Sequence, residues 1–169
     1  SADGRDRRFD VTLLINGLPI AQIELKQVTT KDGIYQAINQ VKKYAEEGVF
    51  RNNIFSTLQL FVVSNEQTTR YFANALPKNM HRKLLFSWRT KNNQKVENLY
   101  EFCKQVLNIP DAHRLIADYT IVSEDQDNKI LMVLHPYQIH AIEALYVSAN
   151  KHESGYVWHA TGSGKTLTS

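Results

Sequence analysis

Several features that would define a protein class by themselves are scarce or absent in this sequence. It contains one cysteine, Cys103, which excludes an internal disulfide and a zinc cluster built on cysteines. No apolar run approaches the roughly 18 residues that a membrane span requires. No secretory signal, internal repeat or low-complexity tract is visible. These absences predict a soluble, intracellular protein with no membrane partner.

Length and charge set only broad limits. The 169 residues, 43% of them hydrophobic, suffice for one good core, or for one core and a fragment of a second. The 20 Lys and Arg residues against 17 Asp and Glu residues give a net charge of +3. This balance is compatible with nucleic-acid binding but does not by itself indicate it.

The strongest motif lies near the end of the chain, where residues 160–166 read Ala-Thr-Gly-Ser-Gly-Lys-Thr. Glycines let consecutive backbone N–H groups surround phosphates ahead of a helix N-terminus, so the pattern predicts a phosphate-binding loop. In such a loop Lys165 contacts the β- and γ-phosphates and Thr166 holds Mg²⁺. The generic phosphate-loop template has glycine at position 159, and His159 in this place favours the helicase-type form of the loop. The alternative to any phosphate-binding loop is an ordinary Gly/Ser turn. The apolar segment 156–158 is predicted to lead in as a strand, and the chain is expected to hold only the beginning of this motor.

Strand and helix patterns alternate along the rest of the chain. Strands are predicted over 9–15, 20–27, 58–64 and 70–73, with a weaker candidate over 84–88. Helices are predicted over 33–47, 96–107 and 137–150. The polar cluster 123–129 is predicted to be a loop between two bodies. The alternation predicts an α/β fold, with a mixed β-sheet flanked by helices over 1–128 and a second, incomplete domain over 129–169.

Candidate chemistry begins in the first predicted hairpin. Glu24 and Lys26 are two residues apart on a strand, so their side chains share one face. A two-residue turn would pair Asp10 with Ile23 and leave Glu24 on the other face, whereas a three-residue loop would pair Asp10 with Glu24. We predict the three-residue loop, or a bulge of equivalent parity, because only then do Asp10, Glu24 and Lys26 lie together.

Such a face has the composition of a metal-dependent hydrolytic site. Two carboxylates in close reach, with a backbone carbonyl such as that of Leu25, form an all-oxygen site suited to Mg²⁺. The metal acidifies a bound water and offsets the charge that develops on a phosphodiester during attack, and a nearby lysine can stabilise the same charge. The short motif also fits residues 127–129, which are expected in a solvated loop, so the pattern alone leaves a purely structural role for residues 24–26 open.

The predicted helix after the hairpin carries a polar stripe. Gln36, Gln40 and Tyr44 recur every four residues, on the side opposite the apolar positions of the helix. The stripe either supports the carboxylate face or is an ordinary solvated helix surface.

The N-terminal motifs, in this order, resemble those of one nuclease family. Asp10, the Asn-Gly-Leu-Pro segment 16–19, the Ile-Glu-Leu-Lys segment 23–26 and the Gln-Val-Lys-Lys-Tyr segment 40–44 resemble the PD-(D/E)xK nuclease domain of the restriction (R) subunit of type I restriction-modification enzymes. The C-terminal segments are similar to the same subunit. Residues 135–139, His-Pro-Tyr-Gln-Ile, resemble the adenine-recognition segment of superfamily 2 helicases.

Residues 155–166 resemble the first motif of those helicases. The resemblance covers most of the chain and implies a restriction-endonuclease-like fold followed by the start of a RecA-like helicase domain. The catalytic residues would be Asp10, Glu24 and Lys26, with Asp10 and Glu24 holding Mg²⁺. The residues supporting the nuclease site and its DNA would be Gln40 and Tyr44. The nucleotide-binding residues would be Tyr137, Gln138, Thr161, Gly162, Ser163, Gly164, Lys165 and Thr166.

The resemblance further implies ATP-dependent cleavage of double-stranded DNA in the cytoplasm of a bacterium or archaeon. Mg²⁺ and ATP would be the cofactors, and the modification (M) and specificity (S) subunits the protein partners. Two other functions stay open: a superfamily 2 NTPase or helicase fragment with a noncatalytic hairpin domain, and a noncatalytic DNA-binding or subunit-docking module.

The sequence departs from the family pattern at two places. Phe9 stands where the motif has proline, and this exchange is expected to alter only local backbone stiffness. The family's nuclease domain extends well upstream of the catalytic aspartate, so its N-terminal part is expected to be missing. Lys42, Lys43, Arg82 and Lys83 are possible contacts to DNA phosphates, with a solvated surface as the alternative.

Overall fold

The structure, a computed structural model, describes residues 7–80, 84–125, 128–161 and 164. Its centre is a four-stranded mixed β-sheet. The strands are β1 (Val11–Ile15), β2 (Leu18–Leu25), β3 (Leu60–Ser64) and β4 (Thr69–Ala73). They lie in this order across the sheet, with β2 and β3 parallel and the other neighbours antiparallel. The predicted α/β fold with a mixed sheet flanked by helices is confirmed.

Helices cover both faces of this sheet. The helix α1 (Gly33–Glu46) connects β2 to β3, because two parallel strands need a crossover connection. The other helices are α2 (Leu99–Phe102), which continues as a π-helical segment (Cys103–Leu107), α3 (Asp111–Ala117) and α4 (Pro136–Asn150). Within the described residues, no helix is long and apolar enough to cross a membrane.

Two hydrophobic clusters lie on opposite faces of the sheet, because successive side chains of a strand point to opposite sides. On β3, Phe61 and Val63 belong to the cluster that packs against α1. Leu60 and Val62 belong to the other cluster. That second cluster joins Phe102, Val106, Leu115, Val133, Leu134 and Ile139 to the sheet. Segments from both predicted domains therefore share one core.

The predicted loop over 123–129 was wrong. Strands β7 (Thr120–Asp125) and β8 (Asn128–Val133) form an antiparallel hairpin there. Ile121 and Leu131 pack against the core, while the polar residues collect near the tip, where Lys129 Nζ lies 2.7 Å from Glu124 Oε1. The polar residues lie at the solvated end of two strands. Composition does not distinguish such a strand end from a loop. The predicted boundary after residue 128 falls inside this hairpin.

Other predicted elements differ in extent. Residues 84–88 supply a single bridge from Phe86 to Tyr71, next to a small hairpin formed by β5 (Trp88–Arg89) and β6 (Lys95–Val96). The strand predicted over 156–158 was wrong, since those residues have no regular structure and the side chain of Trp158 is 91% exposed. A strand forms only beside a partner, and no described strand pairs with this segment.

Candidate functional site

The turn between β1 and β2 decides which side chains share a face. It is a two-residue turn in which Asn16 and Gly17 both have positive φ, 51° and 82°, as a type I′ hairpin turn requires. The predicted three-residue loop was therefore wrong. The alternative, a bulge of equivalent parity, is confirmed: Leu13 pairs with Ala21 and Leu14 with Pro19, which leaves one extra residue on β2.

This bulge brings the two acidic residues together. Beyond it Val11 pairs with Ile23, so Asp10, the next residue out, lies opposite Glu24. The backbone N–H of Leu25 donates to Asp10 Oδ2 at 2.8 Å. Because this N–H belongs to the residue after Glu24, the hydrogen bond fixes the Asp10 carboxylate beside that of Glu24.

Glu24 is fully buried, which is unusual for a carboxylate. Burial, followed by the negative charge of Asp10, raises the pKa of Glu24 from 4.5 to about 7, while the charge of Lys26 acts in the opposite direction. Glu24 Oε1 is buried and has no hydrogen-bond donor. A buried carboxylate oxygen without a donor is costly, and a bound cation would remove that cost.

Gln40 of α1 links the members of the site. Its amide nitrogen donates to Glu24 Oε2 at 2.8 Å and to the Tyr44 hydroxyl at 3.1 Å, and its amide oxygen accepts from Lys26 Nζ at 2.6 Å. Gln36 lies outside this network, since its amide donates to the Lys31 carbonyl at 3.1 Å. Two members of the predicted stripe thus face the carboxylates, and the third faces solvent.

The donor set fits a hard divalent cation. Among the described residues, no group of three or more His, Cys, Asp and Glu side chains could hold a metal. Two carboxylates and a backbone carbonyl nevertheless suit Mg²⁺, which retains several waters and needs only one or two carboxylates. The unpartnered Glu24 Oε1 and the raised pKa of that carboxyl are the features that a cation would relieve.

Sequence reasoning missed one polar residue of this face. Gln22 is fully buried, and its amide oxygen accepts from the Thr12 hydroxyl at 2.7 Å. It lies two residues before Glu24 and shares its face, and its side chain helps to lower the pKa of that carboxyl. The alternation of Gln22, Glu24 and Lys26 in an apolar strand was the available signal.

The predicted adenine-recognition segment forms the start of α4. Gln138 is buried; its amide oxygen accepts from the His135 N–H at 2.9 Å, and its amide nitrogen donates to the Gly164 carbonyl at 3.2 Å. The ring of Tyr137 is 44% exposed and stacks on His135, with centroids 5.3 Å apart. Thr161 is exposed. The other predicted phosphate-loop residues, Gly162, Ser163, Lys165 and Thr166, lie outside the described residues, as do Arg82 and Lys83.

An apolar cavity of about 460 Å³ joins this segment to the sheet. Its walls include Phe72 of β4, Met132 of β8 and Gln138. Phe86, which also lines it, packs edge-on against His135 with centroids 4.2 Å apart. The start of α4 is therefore in direct contact with a residue that bridges to β4.

Comparison with known proteins gives a consistent assignment. The family described as type I restriction enzyme R protein N terminus matches residues 1–80. A type I restriction enzyme endonuclease subunit of Staphylococcus saprophyticus is 43% identical over 163 residues, 96% of this chain, and one of Staphylococcus aureus is 40% identical over the same length. The chain is therefore a relative of the type I restriction enzyme R proteins. The EcoprrI endonuclease subunit of Escherichia coli, another similar protein, is 35% identical over 140 residues, 82% of this chain.

Two further findings concern the C-terminal part of this chain and its length. The family described as type III restriction enzyme, res subunit, matches residues 131–169, which include the phosphate-loop motif. The chain spans 17% of the length of the staphylococcal relatives and 43% of that of the Escherichia coli relative.

Proposed function

We propose that this chain carries the nuclease site of a type I restriction enzyme R subunit. The reaction is Mg²⁺-dependent hydrolysis of phosphodiester bonds in double-stranded DNA. The full-length protein couples it to ATP-driven DNA translocation, together with modification and specificity subunits in the cytoplasm. Residues 129–169 form the start of the RecA-like motor, in which Tyr137 and Gln138 contact adenine and residues 161–166 contact phosphates.

The observation that carries the proposal is the convergence of Asp10, Glu24 and Lys26 at one end of β2. Asp10 and Glu24 are the residues that would hold Mg²⁺, and the ion would supply an activated water and offset charge on the phosphate. The ammonium of Lys26, aimed by the Gln40 amide oxygen at 2.6 Å, stabilises the negative charge that develops on the attacked phosphate. Gln40 also donates to Glu24, so one side chain sets the spacing between the Glu24 carboxylate and the Lys26 ammonium.

Cleavage of a supercoiled plasmid by the full-length protein, assembled with its modification and specificity subunits, tests the proposal. We expect Asp10→Ala and Lys26→Ala to reduce cutting about 10³-fold or more while ATP hydrolysis continues, because the first loses a proposed Mg²⁺ ligand and the second a positive charge, neither of which the motor uses. Lys129→Ala, which removes a 75% exposed lysine, is the matched control and should cut normally.

Unchanged cutting in both the Asp10 and Lys26 variants would reject the proposal. A wild-type protein that hydrolyses ATP but never cuts would favour a motor with a structural hairpin. Loss of both activities with retained DNA or subunit binding would favour a noncatalytic module.

A further inference from the structure

The residues just before Asp10 are held in place although they belong to no strand. Arg7 forms an ion pair with Glu47, with Nη2 2.9 Å from Oε2. The carbonyl of Arg8 accepts from the Tyr44 hydroxyl at 3.4 Å. Phe9 then packs against the edge of the Tyr44 ring. Three consecutive residues therefore contact the C-terminal end of α1.

Phe9 makes the most extensive of these contacts. Its ring lies 4.9 Å from that of Phe55, 5.6 Å from that of Tyr44 and 6.1 Å from that of Phe50, measured between centroids. The Tyr44 contact is T-shaped, at 89° between the planes, which is a favoured aromatic arrangement. Phe50 is buried in the cluster that packs α1 against the sheet. The Phe9 ring is thus anchored to the same core as α1.

Tyr44 connects both halves of the acidic pair. On one side it accepts from Gln40, which donates to Glu24. On the other side it holds the backbone of Arg8 and the ring of Phe9. Asp10 lies just before β1 and Glu24 lies in β2, and α1 contacts both sides of the pair through Tyr44 and Gln40.

We propose that Phe9 is a positioning residue for the metal site. Its ring, seated against Tyr44, Phe50 and Phe55, fixes the backbone from which Asp10 projects and so sets the Asp10 carboxylate beside Glu24. Side-chain packing thereby holds a position that the proline of the family motif would hold by backbone stiffness. This role rests on the proposed nuclease function, because it concerns the geometry of the same site.

Two measurements on the full-length protein test this role. The first is the Mg²⁺ concentration that gives half-maximal plasmid cutting. Residues that orient metal ligands typically change metal affinity by about 10- to 100-fold when removed. We expect Phe9→Ala to raise the half-saturating Mg²⁺ concentration about tenfold, with ATP hydrolysis unchanged. Phe9→Tyr should keep the wild-type Mg²⁺ requirement, because the ring remains.

The second measurement does not depend on activity. The Leu25 N–H donates to Asp10, so hydrogen exchange of the β2 peptide that contains Leu25, in metal-free buffer, reports where the Asp10 carboxylate lies. We expect Phe9→Ala to accelerate this exchange toward the rate of Asp10→Ala, which lacks the acceptor. Phe9→Tyr should exchange like the wild type.

Leu13→Ala is the matched control. Leu13 lies on the same hairpin and is partly buried, but it packs against the opposite cluster. We expect it to lower thermal stability without shifting the Mg²⁺ requirement. If Phe9→Ala does not fold, Phe9→Leu replaces it, with an intermediate shift in both measurements expected.

If Phe9→Ala kept both the Mg²⁺ requirement and the hydrogen-exchange rate of the wild type, the positioning role of Phe9 would be overturned. Equal shifts of both quantities in Leu13→Ala would overturn it as well. If the wild type does not cut, the proposed nuclease function fails, whereas the exchange measurement still decides whether Phe9 positions Asp10.

Discussion

The proposed nuclease face (Asp10, Glu24, Lys26 and Gln40) and the proposed nucleotide-binding segment (residues 135–139 and 156–161) are assembled in different ways. At the nuclease face, the single side chain of Gln40 makes hydrogen bonds to Glu24, Lys26 and Tyr44, and the sheet beneath is buried. In the nucleotide-binding segment, the described side-chain hydrogen bonds of Gln138 link it to His135 and Gly164. The segment that precedes the phosphate-loop motif is exposed, with Tyr156 at 89%.

The two regions represent two kinds of sequence motif, one assembled by contacts nearby in the chain and one that needs partners from elsewhere. The nuclease motif lies within about one supersecondary unit, a hairpin and the next helix, so nearby contacts suffice to assemble it. The phosphate-loop motif depends on a strand that needs partners in a parallel sheet, and among the strands described here none pairs with 156–158. Substitutions in each region, with DNA cutting and ATP hydrolysis both measured, test whether the two regions act independently.

The largest expected effect is on stability, and it belongs to the nuclease face. In metal-free buffer the folded protein keeps Glu24 protonated up to a pKa of about 7, whereas the unfolded chain releases this proton near 4.5. The folded state therefore binds more protons between these values, so the stabilisation is complete below pH 4.5 and is lost as the pH rises through 7. We expect the free energy of unfolding to fall by up to roughly 3 kcal/mol across this range.

Urea unfolding of the 169-residue chain at pH 5 and pH 8 measures this loss. Glu24→Gln cannot titrate and should remove most of the pH dependence, and Mg²⁺ should stabilise the wild type at pH 8 but not this variant. The same pH dependence in Glu24→Gln would show that another group is responsible. In the proposed nucleotide-binding segment the shifted group is His135, whose pKa burial lowers, so its contribution to the pH dependence of stability has the opposite sign.

The next effect tests whether α1 organises the nuclease face. Gln40→Ala removes the amide that links Glu24 to Lys26, so we expect plasmid cutting to fall about 10- to 100-fold with ATP hydrolysis unchanged. Gln36→Ala is a closely matched control, being the same exchange one turn earlier on the same helix. Equal losses of cutting in the two variants would indicate that cutting depends on the polar surface of α1 in general, and not on the hydrogen bonds from Gln40 to Glu24 and Lys26.

The sequence was sufficient for the parts that local patterns determine. The Asn16-Gly17 pair indicated the hairpin, and the spacing of Glu24 and Lys26 fixed their common face. The bulge followed from requiring Asp10 on that face, although the loop length itself was wrong. A bulge and a longer loop shift the register by the same one residue, so parity cannot distinguish them.

The parts that depend on tertiary packing were not predictable in this way. Nothing in the sequence spacing indicates that the ring of Phe9 packs against Phe50 and Phe55, since β1, β2 and α1 lie between them along the chain. The polar composition of residues 123–129 predicts a loop, but exposed strand ends have the same composition. The helix α3 has only seven residues, too few for a clear periodic pattern.

A smaller effect is expected in the nucleotide-binding segment. Gln138→Ala removes the proposed adenine contact and the hydrogen bond to the Gly164 carbonyl, so we expect ATP affinity to fall about tenfold, the value of one to two hydrogen bonds. Cutting at saturating ATP should be retained, which is the reverse of the Gln40 result. Titration of a fluorescent ATP analogue measures this, with the exposed Gln105 changed to Ala as the control. Loss of cutting at saturating ATP would mean that the two regions are not separable.

The smallest effect concerns the space around the proposed catalytic lysine. A Cβ added at Gly33, the first residue of α1, would lie 3.1 Å from the Lys26 Cβ, closer than ordinary contact. The lysine must then move by a few tenths of an ångström, and since a misplacement of 1 Å can cost about 100-fold, we expect Gly33→Ala to slow cutting roughly threefold to tenfold.

Gly33→Val should slow cutting further, because the displacement grows with the side chain, and ATP hydrolysis should stay constant in both variants. Single-turnover cutting at saturating Mg²⁺ and ATP measures the series. Wild-type rates in both variants would mean that the lysine tolerates displacement, and the positions of Asp10 and Glu24 would then be the stricter requirement of this site.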